Sequence, residues 1–121
     1  MERRRESSAM MDLHVGRLDE LDDPGCREFT AGDGPWPFRG FVVRRGNAVF
    51  AYENHCVHAG HPLNLMPDRF LTSGGEAIVC ASHGALYEIG SGRCLGGPCR
   101  GKGLRALACE VRDGEIRVTA P

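Results

Sequence analysis

The sequence lacks any strong excess of charge and any long apolar run. Its 121 residues include 15 Lys or Arg and 16 Asp or Glu, a formal net charge of -1, which gives no reason to expect a nucleic-acid partner. No stretch approaches the roughly 20 apolar residues that cross a bilayer. Residues 1–11 contain arginines but no apolar segment of the kind found in signal peptides, so they predict a disordered lead-in to a cytoplasmic protein.

Helical periodicity is also missing, because apolar residues do not recur every 3.6 positions over three turns anywhere in the chain. Alternating and β-branched runs predict strands instead, and two pairs of them predict hairpins with turns at Gly46-Asn47 and Asp113-Gly114. Shorter strands are predicted over residues 11–18, 77–79 and 85–88, and a proline-rich loop over residues 31–37. The sequence therefore predicts one all-β domain of stacked antiparallel sheets over residues 12–121.

Six cysteines in a chain without a secretion signal indicate metal ligation rather than a disulfide framework. Cys56 is followed two positions later by His58, and Cys80 three positions later by His83, with 21 residues between the two pairs. Two Cys and two His can hold a structural zinc ion, or a [2Fe-2S] cluster with thiolates on one iron and imidazoles on the other. Zinc modules usually take both cysteines from one knuckle, whereas each pair here is mixed, which favours the cluster.

These motifs resemble the Rieske family over about residues 38–118, including HAGHPL after the first pair, HGALY after the second, and GRCLGGPCRGKGL. The resemblance implies a Rieske-like fold with two cluster-binding loops at one end of the domain. It assigns the thiolates to an inner iron and the imidazoles to an outer, solvent-facing iron. The ligands it implies are Cys56, His58, Cys80 and His83, with Gly60, Gly84, Pro98 and Tyr87 surrounding the cluster.

The resemblance implies a ferredoxin that passes single electrons from a reductase to a terminal oxygenase or similar enzyme, and that is not itself an enzyme. The chain is too short to add the second iron site of a large oxygenase subunit, for which only His14, His55 and His61 would remain. Two alternatives stay open at this point. One is a docked small subunit of a larger complex of the nitrite-reductase type, and the other is a zinc-stabilised interaction module.

The remaining cysteines and the basic residues give three further expectations. Cys26 and Cys109 are predicted to be buried or half-buried side chains, while Cys94 and Cys99 bracket four residues and are predicted with equal weight as a disulfide or as two thiols. Residues 93–105 carry four basic residues and no acidic one, which favours an acidic docking surface on the partner. Rieske proteins of respiratory bc complexes join their two ligand loops by a disulfide at the positions of His61 and Ser82, so that bridge is absent here.

Overall fold

The computed structural model describes residues 11–32, 35, 37–56, 62–81, 84–99 and 101–120. Within these ranges the structure is almost entirely β, which confirms the predicted fold class, and no helix there is long and apolar enough to span a membrane. The elements are β1 (Met11–Arg17), a 3-10 helix (Leu18–Glu20), β2 (Gly25–Ala31), β3 (Phe38–Arg45), β4 (Ala48–Glu53), β5 (Ile78–Val79), β6 (Leu86–Tyr87), β7 (Cys94–Gly96), β8 (Ala106–Arg112) and β9 (Glu115–Ala120). The predicted lead-in lies outside the described residues, apart from Met11 at the start of β1.

Six strands form one antiparallel sheet in the order β1-β9-β8-β4-β3-β2. Both predicted hairpins are present in it, β3 with β4 and β8 with β9. The β8–β9 turn has positive φ angles at Asp113 (54°) and Gly114 (78°), the conformation that a two-residue hairpin turn needs and that Asp-Gly adopts readily. Local turn chemistry therefore determines the register of this half of the sheet.

The sheet curls so that its two edges meet, and its concave side encloses one apolar core. Arg27 on β2 joins the edges, since its Nη1 donates to the Val15 carbonyl of β1 at 3.4 Å and to Glu20 Oε1 at 2.9 Å. The buried residues of this core come from three strands and the segment before β2: Leu21, Val42, Ala51, Ile116 and Val118.

A second sheet, in the order β5-β6-β7, packs against the outer side of the β3–β4 hairpin. Phe41 and Val43 of β3 face this second core while Val42 faces the first, so β3 is buried on both sides. This explains the uninterrupted apolar run in its sequence. Phe70, from the loop before β5, stacks on Phe41 with ring centroids 4.0 Å apart and planes 4° from parallel. The stacked sheets predicted from the sequence are therefore present, and the β3–β4 hairpin contributes buried residues to both cores.

Two strands were not predicted. β2 is half-buried along most of its length and carries Arg27 and Glu28 at its centre, so it has no clear alternation of apolar and polar residues. β7 is only three residues long and lies in the GRCLGGPCRGKGL segment, for which the sequence predicted no strand; it pairs with β6 through its backbone. Both strands depend on tertiary contacts that a local pattern does not carry.

Candidate metal centre

The first predicted ligand segment starts directly at the end of a buried strand. β4 ends at Glu53, and the chain continues through Asn54 and His55 to Cys56. Cys56 is fully buried while His55 is exposed, so the two side chains point in different directions. The His55 side chain therefore points away from the buried Cys56 thiol. His58, Gly60 and His61 lie outside the described residues.

Asn54 closes the base of this segment, and it is the sole buried polar or charged residue within the described ranges. Its Oδ1 accepts a hydrogen bond from the Leu63 backbone N–H at 2.8 Å, and its Nδ2 donates to Asn64 Oδ1 at 3.0 Å. The Asn54 N–H donates to the Arg39 carbonyl at 2.9 Å, which attaches the same residue to β3. One side chain thus holds together the two ends of a segment nine residues long.

The second ligand segment connects β5 to β6 and is held by its own backbone. The Cys80 N–H donates to the Ala85 carbonyl at 2.9 Å, and the Gly84 N–H donates to the Cys80 carbonyl at 2.8 Å. Gly84 has φ of 73°, a left-handed conformation that glycine adopts without steric cost, so this turn requires a glycine. His83 lies outside the described residues.

A single residue, Leu63, links the two segments through its backbone. Leu63 donates its N–H to Asn54 in the first segment and accepts, through its carbonyl, a bond from the Ala81 N–H in the second at 2.9 Å. Its side chain is fully buried. Because both polar groups of one buried residue are used in this way, movement of either segment disturbs the other.

The two cysteines of the predicted site belong to one apolar cluster. Cys56 and Cys80 are both fully buried, and they share this cluster with Leu63, Ala85 and Tyr87. Both thiols lie in one apolar cluster, and each is followed in the sequence by a histidine that is predicted to be a ligand. This donor set fits a [2Fe-2S] cluster with two Cys and two His ligands. The described residues contain no group of three or more His, Cys, Asp or Glu that could bind a metal ion, since both predicted histidines fall outside them.

A third loop lies against the second ligand segment. Gly97 is so close to it that a Cβ at this position would be 3.0 Å from the Ala85 Cα. The exposed Pro98 follows, and a disulfide between Cys94 and Cys99 closes the loop, with a Cα–Cα distance of 5.7 Å. Of the two predictions for this cysteine pair, the structure has the disulfide.

The other two cysteines are not part of the predicted ligand set, although Cys26 packs against the apolar cluster that contains Cys56 and Cys80. Burial raises the pKa of the Cys26 thiol to about 12, and burial also raises the pKa of Cys109, so both stay protonated and poorly nucleophilic at neutral pH. Cys109 Sγ donates to the Val49 carbonyl at 3.3 Å. Cys26 lines an open groove of about 450 Å³ between β2 and residues 67–71, with Asp68 and Arg69 on its other side. Both cysteines are structural, as predicted.

The sequence did not single out Asn54, Leu63 or Asn64. The available signal was the position of Asn54, a polar residue between a buried strand and a metal-binding motif, where an amide can hydrogen-bond the backbone of the loop. The partner of that amide is nine residues away and could not be identified without the fold.

Three comparisons with known proteins bear on this site. The family model of the Rieske [2Fe-2S] domain matches residues 12–118. The ferredoxin of carbazole 1,9a-dioxygenase from Nocardioides aromaticivorans IC177 is 26% identical, with a TM-score of 0.70 over 92% of this chain and 98% of that chain. A complex of reduced oxygenase and oxidized ferredoxin in carbazole 1,9a-dioxygenase is 23% identical, with a TM-score of 0.69 over 88% of this chain and 91% of that chain.

A putative NADH-dependent nitrite reductase small subunit from Mycobacterium tuberculosis has the same fold at 18% identity, with a TM-score of 0.67 over 93% of this chain and 96% of that chain. No curated protein matches. The family match covers nearly all of the described structure and both cysteine segments, and it gives no support to the zinc module. The chain therefore belongs to the Rieske [2Fe-2S] domain family, whose members carry a [2Fe-2S] cluster.

Proposed function

We propose that this electron-transfer protein is a ferredoxin that accepts single electrons from a reductase and passes them to a terminal oxygenase or a similar enzyme. The observation that carries the proposal is the match to the ferredoxin of a dioxygenase, of which this chain covers 98%. The proposed location is the cytoplasm, which cell fractionation tests.

The proposed ligands are Cys56 and Cys80 on the inner iron and His58 and His83 on the outer iron. The full burial of both cysteines in one apolar cluster supports the inner assignment. When bound, the cluster supplies a one-electron couple whose potential is raised by neutral imidazole ligands in place of thiolates. The protein excludes water from the side of the site that Cys56 and Cys80 occupy. It holds both segments through Asn54 and the backbone of Leu63, so that little rearrangement accompanies electron transfer.

Iron analysis and electron paramagnetic resonance of alanine variants test the ligands. Replacing His58 or His83 should abolish or convert the cluster, while the exposed His55 gives a matched control that keeps it. An unchanged spectrum with about two irons per chain in His58→Ala would contradict the assignment.

The function itself is tested by rapid mixing. The protein, reduced anaerobically, should transfer one electron to the oxygenase and be reduced again by the reductase, and it should separate from both in high salt. Co-purification with a larger enzyme through a high-salt wash would instead favour the docked-subunit alternative.

We further propose that the basic segment 93–105 docks on an acidic surface of the partner. Lys102 is exposed on this segment. Arg93 and Arg105 are partly neutralised, because they lie 3.8 Å from Glu88 Oε1 and 3.9 Å from Glu53 Oε1, respectively. The steering charge is therefore smaller than the sequence alone implies, and Lys102 is the residue to test.

The rate of reduction by the reductase should fall steeply with added salt, and Lys102→Glu should lower it further at low salt. Arg112→Glu is a matched control, since it reverses an exposed charge in the β8–β9 hairpin. Flat salt dependence, or an equal effect of the two variants, would show that charge on this segment does not guide docking.

A further inference from the structure

We propose that the Cys94–Cys99 disulfide is a thiol–disulfide exchange site, reactive toward dithiol reductants, which holds the loop of residues 95–98 against the second ligand segment and thereby slows loss of the cluster. The inference concerns two cysteines outside the proposed ligand set. It uses the cluster only as a readout.

The first step is the position of the loop. Gly96 pairs with Leu86 across the β6–β7 ladder, and a Cβ on Gly97 would lie 3.0 Å from the Ala85 Cα and 3.3 Å from the Gly84 carbonyl oxygen. Gly97 has φ of 88°, so the contact needs glycine both for its conformation and for lack of space. These neighbours are the residues that immediately follow His83, so the loop covers one of the two ligand segments.

The second step is what keeps the loop in place. Backbone bonds secure its base: Cys94 N–H donates to the Lys102 carbonyl at 3.1 Å, and Lys102 N–H donates to the Cys99 carbonyl at 2.9 Å. Above this base the sequence is Leu95-Gly96-Gly97-Pro98, and two adjacent glycines give an unlinked loop wide conformational freedom. The disulfide removes most of that freedom.

The two cysteine residues of the disulfide differ in burial. Cys94 is partly buried, whereas Cys99 is fully buried in the cluster that includes Cys56 and Cys80. An external thiolate can therefore reach Cys94 but not Cys99. Cys99 Sγ lies 3.3 Å from the Gly96 carbonyl and 3.6 Å from the Leu86 carbonyl, and these oxygens can accept a hydrogen bond from a thiol.

The proposed exchange has two steps. One thiolate of the dithiol attacks Cys94 Sγ, the Cys94–Cys99 bond breaks, and its electron pair remains on Cys99, which takes up a proton. The second thiol of the reductant then attacks the reductant sulfur that is bonded to Cys94. The reductant closes an internal disulfide, and Cys94 is released as a thiol. The protein disulfide gains two electrons and two protons, and the dithiol is oxidised to a disulfide.

The test uses the intact cluster-bound protein, with dithiothreitol as the dithiol and a chromogenic iron chelator to follow cluster loss by visible absorption. The disulfide-closed protein should lose iron more slowly than the reduced protein, by about threefold or more. After complete reduction and removal of the dithiothreitol, brief alkylation followed by peptide mapping should label the partly buried Cys94 faster than the buried Cys99.

Two variants complete the test. Cys94→Ser with Cys99→Ser should lose iron at the rate of the reduced protein and show no further effect of dithiothreitol. Cys26→Ser with Cys109→Ser is the matched control and should behave as the parent protein. If the double loop variant does not fold, the parent protein before and after reduction still decides the question.

Equal rates of iron loss before and after reduction would overturn the proposal, and so would labelling of Cys99 ahead of Cys94. Neither measurement uses a reductase or an oxygenase. Failure of the proposed electron-carrier function would therefore leave this result unaffected, and the reverse also holds.

Discussion

Replacing Asn54 by Leu should destabilise the protein and speed loss of the cluster. The substitution keeps a side chain of similar size at a position that is only 4% exposed, so it removes polar groups without leaving a large cavity. It deletes the bond to the Leu63 N–H at 2.8 Å and the bond to Asn64 Oδ1 at 3.0 Å. The first of these leaves a buried N–H without an acceptor.

The magnitude follows from these two bonds. A neutral hydrogen bond contributes about 1 kcal/mol, and an unsatisfied buried N–H costs about 1 to 3 kcal/mol, which gives a total of roughly 2 to 4 kcal/mol. For a domain of this size that corresponds to a decrease in the thermal midpoint on the order of 10 °C. Because Leu63 also bonds to Ala81, the damage should reach both ligand segments.

Thermal unfolding of the cluster-bound protein and chelator-driven iron loss measure the two effects. Asn64→Ala is a control that leaves the Asn54–Leu63 bond but removes the bonds of Asn64 to Asn54, Glu28 and the Met66 carbonyl. Asn54→Asp keeps the acceptor for Leu63 and should be less destabilised than Asn54→Leu. If Asn54→Leu is as stable as the parent protein and keeps its iron as long, the Asn54–Leu63 bond does not support the two ligand segments.

Three other predictions concern the core, the potential and the acid stability. Phe70→Ala should cost about 3 to 5 kcal/mol, measured by thermal unfolding, because it removes a fully buried ring stacked between the two layers. Ala85→Ser should raise the midpoint potential and Tyr87→Phe should lower it, because hydrogen-bond donors stabilise the reduced, more negative cluster; a difference of about 1 kcal/mol between oxidation states is about 40 mV for one electron. Voltammetry at one pH checks both, and an unchanged Tyr87→Phe midpoint would show that the Tyr87 hydroxyl does not stabilise the reduced cluster. The hydrogen bond from His14 holds the pKa of Glu115 below its usual value, so this carboxylate stabilises the fold above pH 4.5, and the contribution is lost as the pH falls through the lowered pKa. The difference in thermal midpoint between the parent protein and Glu115→Gln should therefore shrink from about pH 7 to about pH 3.5, whereas a constant difference would contradict this linkage.

Local patterns predicted the parts of the molecule whose causes are local. The hairpins at Gly46-Asn47 and Asp113-Gly114 follow from turn chemistry, and both have the expected pairing. These features need only neighbours in the sequence. An inner position for Cys56 and Cys80 was instead implied by the resemblance to the Rieske family, and both residues are fully buried.

Features that depend on distant partners were not predicted. Glu28 on β2 is an example: its N–H donates to Asp68 Oδ1 at 2.8 Å, and its own Oε2 accepts from the Asp68 N–H at 3.1 Å and from Asn64 Nδ2 at 3.2 Å. Glu28 and Asp68 are 40 residues apart. The strand that carries Glu28 was missed for the same reason, because its position is set by these bonds and by pairing with β3 rather than by its own alternation.

The unpredicted residues also explain how the site is held without a bridge between its ligand loops. The sequence has no cysteines at the positions of His61 and Ser82, so a covalent link of the respiratory type is impossible. Leu63 connects the two ligand segments instead, with one backbone hydrogen bond to each. The bond to Asn54 also attaches Leu63 to the end of β4. Two hydrogen bonds are weaker than a disulfide, which constrains a chain by typically 2 to 4 kcal/mol. The Cys94–Cys99 bond therefore adds its constraint where the hydrogen bonds do not act, on the loop that covers the second segment. Because Leu63 also bonds to Ala81 of that second segment, changes at Asn54 and at the disulfide should have non-additive effects on iron loss, measured in the combined variant.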